Sequence, residues 1–151
     1  MLYLAKIILQ SEVKIRHKEE IKERENSLTK GLKLDRENTT DIVRYVARLA
    51  DSKGADYISI LEMKNRLIIT DFFIIIGAKN TRLTSSLEDE IKVSLKPFGL
   101  LPIRTSGTID ANWILMDYDD FVVHIFTEEF RQFYDLERLW KDSKTVEWEN
   151  Q

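Results

Sequence analysis

Three aspartates near the start of the last third of the chain, Asp117, Asp119 and Asp120, could carry metal chemistry. An Asp-x-Asp pair on neighbouring strands can hold Mg²⁺ for phosphoryl or nucleotidyl transfer. Such an enzyme also needs a loop that cradles phosphates, and the five glycines form no glycine-rich or Walker-type run. Aspartate is also common in tight turns. The pattern therefore favours a turn, with a Mg²⁺-dependent nucleotidyl- or phosphotransferase using Asp117 and Asp119 as the alternative.

Histidine and cysteine chemistry has few residues to draw on. The chain has no cysteine, which excludes disulfides, thiolate metal sites and a cysteine nucleophile. Its two histidines, His17 and His124, lie far apart in sequence. Strand alternation places His124 on one face with Val122 and Phe126, where a histidine is more often a packing residue than a ligand or base. We therefore predict no catalytic residues, no metal and no cofactor.

Aromatic residues are concentrated towards the C-terminal end of the chain, and such side chains dominate interface hot spots as well as cores. We expect Phe121, Phe130 and Trp140 to pack in the core. Trp113 follows the polar loop 105–112 and fits a core or a surface position equally well. The complete group is Trp113, Tyr118, Phe121, Phe126, Phe130, Phe133, Tyr134, Trp140 and Trp148.

Composition bounds the class of protein. With 151 residues, 43% hydrophobic and 32% charged, the chain is large enough for one domain with a buried core. Its longest apolar stretch, 67–78, is interrupted by Asp71 and is much shorter than the ~20 residues of a membrane-spanning helix. The first nine residues lack the features of a secretory signal. We therefore expect a soluble, cytoplasmic protein without membrane contact.

Hydrophobic periodicity predicts the elements that would position these side chains. Helical spacing after Thr39 predicts a first helix that closes near Gly54, and a four-residue apolar repeat from Leu83 to Leu95 predicts a second, ended by Pro97 and Gly99. A third should begin after Thr127 and run to about Trp140. Alternating or continuous apolar runs predict strands at 57–63, 67–77, 100–105, 113–118 and 121–126.

The order α-β-β-α-β-β-β-α predicts an α+β fold, with features of the α/β class: one mixed five-stranded sheet flanked by helices. Residues 72–76 are apolar at every position, which indicates an interior strand covered on both faces. The last two strands should form a hairpin through Asp119 and Asp120.

Charge divides the chain near residue 37. Residues 1–37 carry 9 basic and 7 acidic side chains, and residues 38–151 carry 14 and 19. We predict a charged N-terminal extension at 1–37, helical or flexible, a domain at 38–143 and a C-terminal tail at 144–151. An acidic domain would repel phosphates, so we expect no direct nucleic-acid binding by it. The same charge suits a basic protein partner.

Four segments together resemble the ribosomal silencing factor family, RsfS, also called Iojap. The likeness spans roughly residues 39–142, and its last third is long and unusual enough to be highly specific. The segments are TDFFII at 70–75, Arg82, WILMDYDDFVVHIF at 113–126 and EFRQFYDLERLW at 129–140.

This resemblance implies a mixed sheet shaped like that of nucleotidyltransferases but without their active site. It implies a non-enzymatic protein that binds the large ribosomal subunit through ribosomal protein fourteen. Steric occlusion of the small subunit would then repress translation. Free family members often pair, so a homodimer is expected. Within the matching segments, we expect the partner surface to comprise Trp113, Asp117, Tyr118, His124, Arg131 and Tyr134.

Overall fold

The computed structural model describes residues 38–63 and 70–149, which lie within one compact unit, Glu37–Gln151. The predictions for the extension 1–37 and for the beginning of the strand at 67–77 fall outside the described residues. No helix in the described ranges is long and apolar enough to cross a membrane. In chain order the elements are α1 (Thr39–Ser52), β1 (Tyr57–Glu62), β2 (Phe72–Ala78), α2 (Thr81–Leu95), β3 (Arg104–Ser106), β4 (Trp113–Asp117), β5 (Phe121–Thr127), α3 (Glu128–Tyr134) and α4 (Leu136–Leu139).

The five strands form one mixed sheet with the spatial order β1-β2-β5-β4-β3. Strands β2 and β5 run parallel, whereas all other neighbouring pairs are antiparallel. Every residue of β2 is buried, which confirms the prediction of an interior strand. The β4–β5 hairpin and the α+β class with one mixed five-stranded sheet are also confirmed.

Helices α1 and α2 cover one face of the sheet. Helix α1 contributes Val43, Val46, Ala47 and Ala50 to the core, because these positions lie on one side of a helix with 3.6 residues per turn. Helix α2 contributes the predicted repeat of Leu87, Ile91 and Leu95. Its N-cap, Asn80, accepts a hydrogen bond from the N–H of Leu83 at 2.9 Å. The opposite face of the sheet carries most of the candidate site.

Two sequence predictions are wrong in their extent. The strand predicted at 100–105 is observed only as β3, Arg104–Ser106, because Pro102 has no N–H to donate to a ladder. The single helix predicted from Thr127 to Trp140 is two helices. Asp135 separates them with a left-handed backbone, φ 46°, a conformation that aspartate tolerates better than most residues.

Candidate protein-binding site

An aromatic cluster lies on the sheet face opposite α1 and α2; we define it as Phe73, Trp113, His124 and Phe126. Trp113 stacks on Phe126 with ring centroids 4.9 Å apart, and Phe73 meets the His124 ring edge-on at 4.7 Å. The rings come together because β2, β5 and β4 are neighbours and their register places alternate residues on the same face. All four side chains are buried, Trp113 at 7% exposure and His124 at 1%.

A hydrogen bond from the indole of Trp113 determines the protonation state of His124. Its Nε1–H donates to Nδ1 of His124 at 3.1 Å. Because an indole nitrogen can only donate, Nδ1 must accept and therefore carries no proton. The imidazole is neutral in this arrangement, and the buried bond joins the first residue of β4 to the middle of β5. This geometry is that of a packing histidine, the role that the sequence favoured.

Helix α3 continues the aromatic contacts from the cluster to the surface. Tyr134 is half-buried, and its ring lies 4.9 Å from that of Trp113. Phe130 and Phe133 contact Tyr134 at 5.9 and 5.1 Å, and Phe133 is 80% exposed. We call Phe130, Phe133 and Tyr134 the aromatic rim. An exposed aromatic side chain supported by a rigid core is a typical interface anchor.

Arg131 holds the other side of α3 against the sheet. Its guanidinium binds the carboxylate of Glu128, with Nε 3.1 Å from Oε2, and reaches Glu137 at 3.4 Å. It also lies 3.9 Å above the ring of Tyr57 on β1, a cation–π contact. The hydrogen bond from Arg131 lowers the pKa of Glu128 below its usual value. Arg131 therefore joins α3, α4 and β1, and its role within the free chain is structural.

Gly77 allows this close approach. A Cβ at this position would lie 3.0 Å from Cβ of Tyr57 and 3.3 Å from Cδ of Arg131. A larger residue would therefore force the side chains of Tyr57 and Arg131 to shift by a few tenths of an ångström. Glycine at position 77 suits the packing of α3 on the edge of the sheet.

Asp117 and Tyr118 lie at the opposite end of β4 from the aromatic cluster. Oδ1 of Asp117 accepts the backbone N–H of Asp119 at 2.9 Å, and Asp119 has φ 76°. The aspartates thus build the hairpin turn, as the sequence favoured. Within the described ranges, no three carboxylate or imidazole side chains are grouped so that they could hold a metal ion.

Tyr118 faces the core under α2. Its ring stacks on Phe121 at 4.9 Å, and burial, followed by the nearby charge of Glu88, raises the pKa of its phenol well above the usual value. The structure thus brings together Trp113, His124 and Tyr134, with Arg131 on the same helix as Tyr134. It does not bring Asp117 or Tyr118 to them. The involvement of these six residues in partner binding stays a prediction.

Phe133 belongs to the aromatic group that the sequence analysis named, but not to the six predicted partner-binding residues. The sequence predicted one helix that runs through Phe133 to about Trp140. The backbone turn at Asp135 places Leu136 in the core at 1% exposure and leaves Phe133 outside. No local pattern signals this break, because the residue that adopts the left-handed conformation is not a glycine.

Comparison with known proteins identifies the family. The family model described as "Ribosomal silencing factor during starvation" matches residues 36–151. The chain belongs to the RsfS family. It is 33% identical to ribosomal silencing factor RsfS of Halalkalibacterium halodurans over 109 residues, which are 72% of this chain and 93% of the relative. RsfS of Bacillus subtilis is 31% identical over 106 residues, 70% of this chain and 90% of the relative.

A solved structure shares the fold of this RsfS family member. The crystal structure of a protein from Bacillus halodurans is 30% identical and superposes with a TM-score of 0.63. The match covers 72% of this chain and 98% of that one. The family resemblance recognised in the sequence is therefore confirmed.

Proposed function

We propose that the protein is a non-catalytic ribosomal silencing factor that binds the large ribosomal subunit through ribosomal protein fourteen and prevents the small subunit from joining. The observation that carries this proposal is the match of the family model to residues 36–151. Steric occlusion of the small subunit requires only that the protein binds and occupies space, so it needs no substrate and no turnover. We propose that it takes place in the cytoplasm.

The aromatic rim supplies a physical basis for the contact. Phe133 offers exposed aromatic surface, while Tyr134 below it rests on the buried ring of Trp113. An anchor held this way loses little conformational entropy on binding, and such preorganisation raises affinity by lowering the cost of association. The rigid strands β4 and β5 thus position the anchor through Trp113.

Charge supplies the second basis. Residues 117–151 contain 10 acidic and 4 basic side chains, so the C-terminal third of the domain is acidic. Complementary charge raises association rates and orients docking, and a basic ribosomal protein is a suitable partner. Direct contact with ribosomal RNA would place these carboxylates against phosphates, so we propose that protein contacts dominate.

Co-sedimentation with large subunits tests the proposal. Full-length protein is mixed with isolated large subunits, small subunits are then added, and complete ribosomes are measured on a sucrose gradient. Phe133→Ala should weaken binding about 30-fold, the equivalent of a hot spot worth about 2 kcal/mol. Because Phe133 is exposed, its truncation leaves the core intact.

Val93→Ala is the matched control, since Val93 is an exposed apolar side chain on α2, 67% exposed, outside the aromatic rim. It should bind and inhibit joining like the unmodified chain. Failure of the unmodified protein to bind large subunits contradicts the silencing function. If Phe133→Ala and Val93→Ala bind large subunits with equal affinity, only the assignment of the contact to the aromatic rim is contradicted.

We also propose that free copies pair through the same aromatic rim, because an exposed phenylalanine beside half-buried aromatic rings suits a twofold contact. Sedimentation velocity at several concentrations should then show a dimer that Phe133→Ala weakens and Val93→Ala does not. A monomer at all concentrations would contradict this pairing without affecting the ribosome contact.

A further inference from the structure

The outer edge of β1 is partly covered by residues from the end of the chain. The N–H of Glu62 donates to the carbonyl of Lys144 at 2.8 Å, and the N–H of Val146 donates to the carbonyl of Ile60 at 3.0 Å. These two bonds flank a single bridge pair, Leu61 with Thr145. We call residues 144–149 the tail segment. It lies antiparallel to β1 in the position that a sixth strand would occupy.

Side chains from the tail segment add to this contact. Val146 and Trp148 pack against the core on the side of α1, as alternate residues of an extended segment should. Nε of Arg44 on α1 donates to the backbone carbonyl of Glu147 at 2.9 Å. The edge therefore recognises a segment through backbone groups, one arginine and two apolar side chains placed two residues apart.

The fit between the tail segment and β1 is incomplete. Next to the bridge pair, a cavity of about 210 Å³ lies between the two segments and is open to solvent on part of its surface. A water molecule in the liquid takes about 30 Å³, so this space has room for a further side chain. The cavity is lined by Ile58, Ser59, Ile60, Thr145, Val146, Glu147, Trp148 and Glu149.

We propose that the outer edge of β1 is a strand-addition site for an extended segment of a partner protein, with apolar side chains two residues apart. The tail segment occupies this site in the free chain as a replaceable cover. Sheet edges bind extended peptides by continuing the backbone ladder, while pockets for alternate side chains give specificity. A longer strand could pair along β1 towards Ile58 and fill the cavity that the tail leaves.

This site is separate from the aromatic rim. Val146 and Trp148 pack on the side of α1, whereas the rim belongs to α3 on the opposite face of the sheet. A partner could therefore occupy the edge of β1 independently of the contact proposed for Phe133. The inference does not depend on ribosome binding.

A peptide exchange experiment tests the proposal. A fluorescent peptide with the sequence of residues 143–149, SKTVEWE, is titrated with the full-length chain and with the full-length variant V146A/W148A, and anisotropy is recorded. The variant should bind the peptide at least tenfold more tightly than the unmodified chain, because its own cover is weakened. A peptide with serine in place of valine and tryptophan should not bind either protein.

Two further variants keep the test decisive. Thr145→Ala is the matched control: the side chain is exposed and the backbone bonds remain, so peptide affinity should equal that of the unmodified chain. If V146A/W148A does not fold by circular dichroism, Val146→Ala replaces it. This variant weakens the tail segment and leaves Arg44 and the edge of β1 unchanged, so it should bind the peptide about threefold more tightly than the unmodified chain.

Two results would overturn the proposal: the absence of peptide binding by a folded variant with a weakened tail, and equal binding of the serine peptide. If V146A/W148A fails to bind peptide and also dimerises in sedimentation velocity, the edge accepts a second copy of the chain rather than a partner's extended segment.

Discussion

Replacement of Gly107 by alanine should disturb the start of β4 and, through it, the aromatic cluster. Gly107 has φ 81°, and a Cβ there would lie 1.9 Å from the carbonyl oxygen of Trp113. A side chain in the left-handed region costs about 1–2 kcal/mol, and forced overpacking typically adds about 1–3 kcal/mol. We therefore expect Gly107→Ala to lower the free energy of unfolding by about 3–4 kcal/mol. That is a large fraction of the stability of an ordinary domain.

Gly54→Ala separates backbone strain from the clash. Gly54 has φ 94°, and no atom lies within 4 Å of the Cβ that alanine would add. Gly54→Ala should therefore lower the free energy of unfolding only by the backbone strain, about 1–2 kcal/mol. Urea unfolding followed by far-ultraviolet circular dichroism measures both variants. Equal losses at Gly107 and Gly54 would refute the close approach of the loop to Trp113.

Three further predictions concern buried or paired side chains. Trp113→Phe should lower the free energy of unfolding by about 2 kcal/mol because it removes the hydrogen-bond donor to His124. A double-mutant cycle with His124→Phe should show a coupling energy of about 1 kcal/mol, and additive losses would contradict the hydrogen bond. The pKa of Glu128 is lowered by Arg131, so the pair should stabilise the fold above pH 4.5, the usual value, and lose this contribution as the pH falls through the lowered pKa. Because the carboxylate is partly exposed, solvent screening limits the contribution of the pair to the free energy of unfolding to less than about 1 kcal/mol. Unfolding measured at several pH values should show this pH dependence in the unmodified chain and not in Arg131→Met. Because the pKa of Tyr118 is raised, its burial stabilises the fold below pH 10, the usual value, and this contribution is lost as the pH rises through the raised pKa. Tyr118→Phe should therefore flatten the alkaline part of a plot of unfolding free energy against pH. An unchanged plot would contradict the burial of Tyr118 as a neutral phenol.

The sequence predicted the secondary structure wherever local periodicity was strong. The spacing of Leu87, Ile91 and Leu95 identified α2, and the continuous apolar run identified β2 as an interior strand. These patterns are readable because the repeat of a helix or strand is a property of the local backbone. The predicted bounds were wrong at two places. Pro102 lacks an N–H donor, which shortened β3, and the left-handed φ of Asp135 divided the predicted last helix into α3 and α4.

The family was also readable from the sequence, because its motif spans most of the residues between 113 and 140 and does not depend on knowing which strands pair. Alternation placed His124 on one face with Val122 and Phe126. It could not show that this face would be closed by α3, or that Trp113 would donate to His124 across the β4–β5 pair.

Tertiary structure alone decided which aromatic side chains reach the surface. Trp113 fitted a core or a surface position equally well in the sequence, and the packing of Tyr134 above it made it buried. Phe133 was left outside by the turn at Asp135, and the tail segment was placed against β1 by two backbone bonds. Burial and edge pairing depend on contacts between residues distant in sequence, so local periodicity determines the elements while the assembled sheet determines the surfaces they present.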